Sequence, residues 1–436
     1  MTTAAAATVS AETLAPIAPS PSRLPNVGTT IFTVMSSLAA EKQAVNLGQG
    51  FPDFDCDPRI IDAVTNAMRA GLNQYPPMTG VPALRQAIAT KIATLYGHTY
   101  DADREITITA GATQALLTTV LCCVHPGDEV IVFEPTYDSY IPSIELAGGK
   151  VVPITLNAPD FRIPFDKLAA AITPRTRAIL PVHNNGLSVD MDALLEVAER
   201  HPHPKFGPVP VFGDAARACG AGYKGTKVGK LGAANIFSFQ TSKNMTTLGE
   251  GGMITTDDEA LARRARRLRS FGWEAGELVE PGFNYRMTGV QAAVGLVQLR
   301  RLDEMNARRR ERAQRLTRLL REAAPEIITP FEPEGYYHIY YGYTVMVPKE
   351  WAGQKRDRLL QLLAAEYKVG TVVMNPPVTI YPMLQRLGYR PEDTPRAKEH
   401  GERLFCLPMH PLLTDQDLEY IAAAVGDACS RLEKSG

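Results

Sequence analysis

Short apolar runs alternate with longer amphipathic ones over most of this chain. "EITITA", "DEVIVFEP", "KVVPITL", "RAILPV", "VPVFGDAA", "NIFSF" and "GMITTDD" are rich in β-branched residues and flanked by Gly, Pro or Asp, so each reads as a strand. Between and before them, "PRIIDAVTNAMRAG", "TQALLTTVLCCV" and "DMDALLEVAERH" carry apolar residues at helical spacing. Most of the strand runs do not alternate apolar with polar, so both of their faces are covered. Strands of that kind, alternating with helices, predict an α/β fold with a mainly parallel sheet between helical layers.

The pattern changes near residue 290. A long charged helical stretch runs to about residue 323, followed by the β-rich "YYHIYYGYTVMVP" and by helices near 356–366 and 415–432. This predicts a smaller α+β domain. The organisation expected is a disordered tail over 1–22, an arm over 23–60 that joins the small domain, a large domain over 61–305 and a small C-terminal domain over 306–436.

Composition narrows the function classes. The 436 residues are 45% hydrophobic and 21% charged, with a formal net charge of -1. No global field invites nucleic acid or an anionic membrane. The arginines of "ARRARRLRS" and "NARRRERAQR" recur at helical spacing and read as solvated helix faces. Six cysteines are scattered without metal-site spacing, so no metal is expected and a reducing compartment is. The start lacks a basic segment followed by a compact apolar one, and no run is long enough for a membrane span. A cytoplasmic protein is the expectation.

Candidate chemistry falls in the loops that follow strands, where parallel sheets collect their sites. In "TAGATQAL", Gly111, Ala112 and Thr113 mark a strand giving way to a helix, whose first N–H groups and a hydroxyl can cradle an anion. Asp214 ends the strand "VPVFGD", and a carboxylate there needs a partner. Lys243 follows "NIFSF", and Tyr137 follows "IVFEP", where its face can cover a flat ligand. A phosphate cradle, an acid for a ring nitrogen, a lysine for an aldehyde and an aromatic for stacking together suit pyridoxal 5′-phosphate (PLP).

These residues sit in a chain that resembles the fold-type I PLP-dependent aminotransferases. Up to about residue 180, "NLGQGFPDF", "LNQY" and "TAGATQAL" are similar to class I enzymes of the kynurenine and methionine type. The remainder, with "DAARACGA", "GEGGM", "FNYRMTGVQAAVGLVQL" and "LPMHPLLT", resembles the DegT/DnrJ/EryC1/StrS group. The resemblance implies a seven-stranded sheet in the PLP-binding large domain, and a homodimer with shared active sites. It implies Lys243 as the Schiff-base residue and Asp214 at the pyridine nitrogen. Ser238 would join Ala112 and Thr113 on the phosphate, and Tyr75 and Asn284 would be lent to the neighbouring subunit's phosphate. Gly48 and Gly50 would lie in the arm that closes over substrate.

Three positions depart from the family pattern. Arg217 stands where these groups place a neutral hydrogen-bonding partner for the ring oxygen. "VHNNG" offers Asn184 or Asn185 for the same oxygen, and Arg403 or Arg286 could hold a substrate carboxylate. The implied reaction is transfer of an amino group from an amino acid to a keto or aldehyde acceptor. The alternative is elimination, replacement, cyclisation or carbon–carbon bond formation through a quinonoid in specialised metabolism. A PLP-responsive regulator would need a DNA-binding module ahead of the domain, for which the start leaves no room.

Overall fold

The computed structural model describes residue 41 and residues 56–434, except 73–75, 78–79, 138, 158–160, 205–206, 375, 381–384 and 386–389. Tyr75, Gly48, Gly50, the tail and nearly all of the arm therefore lie outside the described residues.

Each apolar run quoted above contributes a strand: β1 Ile106–Thr109, β2 Glu129–Glu134, β3 Lys150–Thr155, β4 Thr176–Leu180, β5 Phe212–Asp214, β6 Ala234–Ser238 and β7 Gly252–Thr255. Among the described residues these form one continuous order, β3-β2-β4-β5-β6-β7-β1. The β4–β5 junction consists of the parallel bridges Ile179↔Val211 and Val182↔Asp214. Only β7 runs antiparallel to its neighbours β6 and β1. The expected mainly parallel seven-stranded sheet is thus present. Its central strands are buried throughout, whereas β3 is partly exposed and accommodates Pro153, as an edge strand can.

The helices are α1 Pro58–Arg69, α2 Pro82–Tyr96, α3 Ala112–Cys123, α4 Tyr140–Leu146, α5 Phe165–Ala171, α6 Met191–Arg200, α7 Glu259–Arg269, α8 Gly289–Ala323, α9 Gln354–Ala365, α10 Pro395–Arg403 and α11 Asp415–Lys434. Their starts are written locally. Asp258 caps α7 by accepting the N–H groups of Ala260 and Leu261, and Thr288 with Gln291 closes a capping box on α8. On α3, Leu116 and Val120 pack against Val130 and Ile236 of the sheet, each burial contributing about 1.5–3 kcal/mol.

Helix α8 is 35 residues long and crosses residue 305 without a break. Its Leu299 and Leu302 pack in the core beside the sheet, while Ala313, Leu316 and Leu320 pack with the C-terminal elements. There the two-stranded β8 Tyr343–Met346 and β9 Leu404–Leu407 meet α11 through Tyr343, Phe405 and Val425.

Candidate functional site

Parallel pairing brings the carboxyl ends of β4, β5 and β6 to one edge of the sheet, so the loops after them meet. Strand β7 runs the other way, and its first residue, Gly252, pairs with both Ser238 and Thr109 at that same edge. A Cβ on Gly252 would stand 2.4 Å from the Gly111 carbonyl carbon and 2.6 Å from Ala112 N. Glycine there lets the start of α3 press against the sheet. No side chain caps α3. Its first N–H groups, which have no carbonyl within the helix, are left beside Ser238 at the wall of a cavity of about 2970 Å³.

Ala112, Thr113, Tyr137, Asn184, Asn185, Asp214, Arg217, Ser238 and Lys243 all line this cavity. Asp214 is 8% exposed. One carboxylate oxygen accepts the Ala216 N–H at 2.8 Å, and the other accepts the hydroxyl of Tyr140, which is fully buried. Burial first, and then the charge of Asp214, push the Tyr140 phenol well above its ordinary pKa, so it stays protonated and donates. Thr113 and Tyr137 exchange a hydroxyl hydrogen bond at 3.1 Å, and Tyr137 stands edge-on to Tyr140.

The two asparagines separate. Asn185 adopts a left-handed backbone (φ 50°), which asparagine tolerates, and its Nδ2 donates to Thr344 Oγ1 at 3.0 Å. Asn184 instead presents Oδ1 to Arg217 Nη1 at 3.5 Å. Arg217 also lies over the Tyr341 ring, 5.4 Å from its centroid. Lys243 Nζ reaches the same tyrosine, 3.5 Å from its hydroxyl.

Other expected residues lie elsewhere. Arg403 is buried and off the cavity wall. Its Nε donates to the Val347 carbonyl at 3.0 Å, and its Nη1 pairs with Glu399 at 3.2 Å. Those bonds tie α10 to the strand region, and they commit the guanidinium to the small domain's own packing rather than to a substrate carboxylate. Asn284 is exposed and receives a hydrogen bond from Arg286 Nε at 3.0 Å, while Arg286 also lies over Phe271. Neither lines this cavity.

Four residues went unnoticed in the sequence: Glu250, Tyr341 and Arg309 line the cavity, and Tyr140 holds Asp214 without lining it. Tyr140 lies inside "EPTYDSYIP" and Glu250 inside "GEGGM", so both were in plain view. Burial raises the Glu250 carboxyl, and the Lys243 charge opposes that shift. Tyr341 and Arg309 come from the strand-like "YYHIYYGYTVMVP" and from α8, and only the folded chain brings them in. Burial lowers the Arg309 guanidinium to about 10.

The residues present fit PLP. The α3 N–H groups, Thr113 and Ser238 suit a phosphate, Asp214 offers a carboxylate, and Lys243 supplies an amine. The buried hydroxyls of Thr136 and Thr246 on the same wall have no partner among the described residues. The groups that would hold the cofactor thus line one cavity.

The model of the DegT/DnrJ/EryC1/StrS aminotransferase family matches residues 85–426. The chain is 38% identical over 318 residues to the spore coat polysaccharide biosynthesis protein SpsC of Bacillus subtilis, covering 70% of this chain and 80% of that one. It is 48% identical over 186 residues to the methionine aminotransferase of Escherichia coli, covering 41% of this chain and 48% of that one. In structure it is similar to the putative sugar aminotransferase Spr1654 from Streptococcus pneumoniae, solved in its PLP form. There the TM-score is 0.77 at 27% identity, over 88% of this chain and 99% of that one. The fold, the cofactor-compatible cavity and a family match over most of the chain agree: this protein belongs to the DegT/DnrJ/EryC1/StrS family and is a PLP-dependent aminotransferase.

Proposed function

We propose that Lys243 holds PLP covalently and that the enzyme moves an amino group from an amino acid to the carbonyl of a sugar. The observation that carries this reading is the placement of Lys243, the Asp214 carboxylate and the uncapped start of α3 on one cavity wall. The sugar acceptor is supported by the polysaccharide and sugar-aminotransferase relatives, and the amino-acid donor by the likeness to a methionine aminotransferase.

When bound, PLP supplies an electron sink for the charge left on a carbon that loses its proton. The chain's own residues do the rest. Ala112 and Thr113 N–H groups, the Thr113 hydroxyl and Ser238 would hold the phosphate. Asp214, itself held by Tyr140 and Ala216, would keep the proton on the pyridine nitrogen. Asn184 and Arg217, which face each other, would bind the ring oxygen, and Tyr137 would cover the ring. Lys243 Nζ would take the α-proton of the amino donor. Asn284, with Tyr75, would reach the phosphate of a partner subunit in a homodimer.

The test is borohydride reduction of the holoenzyme, digestion and mass analysis. A phosphopyridoxyl mass on Lys243, absent from Lys243→Ala, is the expected result, and that mass on Lys224 or Lys230 overturns the assignment. A panel of keto sugars and keto acids, with stoichiometric release of the donor's keto acid, then decides the acceptor. Turnover on keto acids alone removes the sugar reading.

A further inference from the structure

We propose that Tyr341 is the positioning and charge partner of Lys243. Its hydroxyl steers Nζ, and its anion pairs with the lysine's charge. This deepens the reading above and rests on Lys243 as the cofactor-holding residue.

Three independent contacts fix the pair. Lys243 Nζ stands 3.5 Å from the Tyr341 hydroxyl and 4.9 Å from its ring centroid, so oxygen and ring face both engage the ammonium. Ser242 Oγ lies 3.2 Å from the same hydroxyl and joins the lysine's own loop to it. The Tyr341 backbone is anchored in turn. Its N–H donates to the Asn185 carbonyl at 2.9 Å, and Ile339 N–H donates to the Gly186 carbonyl at 3.0 Å. Gly186 has a positive φ of 94°, and a Cβ there would stand 3.0 Å from Tyr341 N. The site-forming loop after β4 thus holds the tyrosine in register with the lysine.

The charges around the phenol come from three elements. Lys243 lies in the loop after β6 and Arg217 in the loop after β5, while Arg309 on α8 also acts on it electrostatically. The groups of the β4 loop beside it, Asn184 and Asn185, are neutral. Burial alone would raise the Tyr341 phenol, but the Lys243 and Arg217 cations, with the hydrogen bonds to Ser242 and Lys243, outweigh it and leave the phenol below its ordinary value.

Proton exchange within the pair is balanced. An N–H bond of the ammonium breaks and the O–H bond of the phenol forms, so an ion pair becomes a neutral amine and a neutral phenol. Nothing is oxidised or reduced. The free amine is the form of lysine that attacks a carbonyl and abstracts a proton. Because the Lys243 cation favours the Tyr341 anion, that anion favours the ammonium in return, so the pair keeps the lysine's proton within the site.

Two measurements on the full chain freed of cofactor test this. The first follows phenolate absorbance against pH. The wild type should show one early ionisation among its 16 tyrosines. Tyr341→Phe should lose that step, and Lys243→Ala should move it up by about one pH unit. An early step that survives Tyr341→Phe, or stays put in Lys243→Ala, overturns the proposal. The second follows the rate of covalent PLP capture against pH. Tyr341→Phe keeps the ring but removes the anion that favours the ammonium, so its midpoint should fall by about one unit while the plateau rate drops with the lost positioning. Equal slowing at every pH, with the midpoint fixed, would show a packing role only and refute the charge pairing. If Lys243→Ala still forms a borohydride-fixed adduct, the Lys243 assignment itself has failed, a separate outcome from either of these.

Discussion

Replacing Asp214 with asparagine should separate the residue's structural and chemical roles. In the fold, one oxygen of Asp214 accepts the Ala216 N–H and the other accepts the Tyr140 hydroxyl. The amide oxygen of asparagine can keep the Ala216 bond. The amide NH₂ cannot accept from Tyr140, but a phenol both donates and accepts, so Tyr140 can reverse its hydrogen and accept instead. The buried hydrogen-bond inventory stays closed, and the loss in stability should stay within about 1 kcal/mol, the scale of one re-formed hydrogen bond. The chemistry has no such escape, because a neutral amide cannot hold a proton on the pyridine nitrogen. Removing one partner of a buried ion pair costs about 3–5 kcal/mol. Expressed on the reaction barrier, that is a slowing between roughly a hundredfold and a few thousandfold. Single-turnover kinetics with a saturating amino donor, beside urea unfolding of the same variant, measure both quantities. Wild-type turnover in Asp214→Asn would remove the carboxylate from the mechanism. A large loss of stability that tracks the loss of rate would make the aspartate a fold residue.

Two further outcomes are expected. Lys243→Ala and Asn284→Ala, each inactive alone, should recover roughly a quarter of wild-type activity when unfolded together and reassembled, because half of the dimers are hybrids with one intact site in two. A fully active Asn284→Ala protein, or no recovery from hybrids confirmed by mass, would confine each site to one chain. Stability should fall in acid through His183, which is fully buried and whose pKa burial lowers to about 4. The unfolded chain binds that proton from its ordinary value of about 6.5 downward while the folded one does not, so stability is full above pH 6.5 and falls progressively toward pH 4. The loss is roughly 3 kcal/mol, and urea midpoints of His183→Asn should show a visibly flatter pH dependence over that window; an unchanged slope would sink the account.

What was legible in this sequence follows from the range over which each feature is encoded. A strand covered on both faces must be a continuous apolar run, and a polar group just past its end has few places to go but the sheet's edge. That is why the seven strands, and the places of Lys243, Asp214 and the α3 start beside the sheet's edge, could be read from short windows. Pairing direction is not encoded in such a window. Nothing in "GMITTDD" says that β7 runs antiparallel, although that reversal is what sets Gly252 against Gly111. Arg403 shows the converse error. Its position near the C-terminus suited a substrate role, but a guanidinium with a carbonyl at 3.0 Å and a carboxylate at 3.2 Å is already committed. Asn184 and Asn185 could not be told apart by spacing. A left-handed backbone at Asn185 turns its side chain to Thr344, and that turn is decided by the strand it meets rather than by its neighbours in sequence. Tyr341 is the limiting case. In its own segment it is one aromatic in a strand-like alternation, and its significance comes from Lys243, 98 residues earlier, and Arg217, both carried by loops at the end of another sheet. Strands and loop ends are local properties of this chain, whereas the partner of its lysine is supplied by contacts between its two halves.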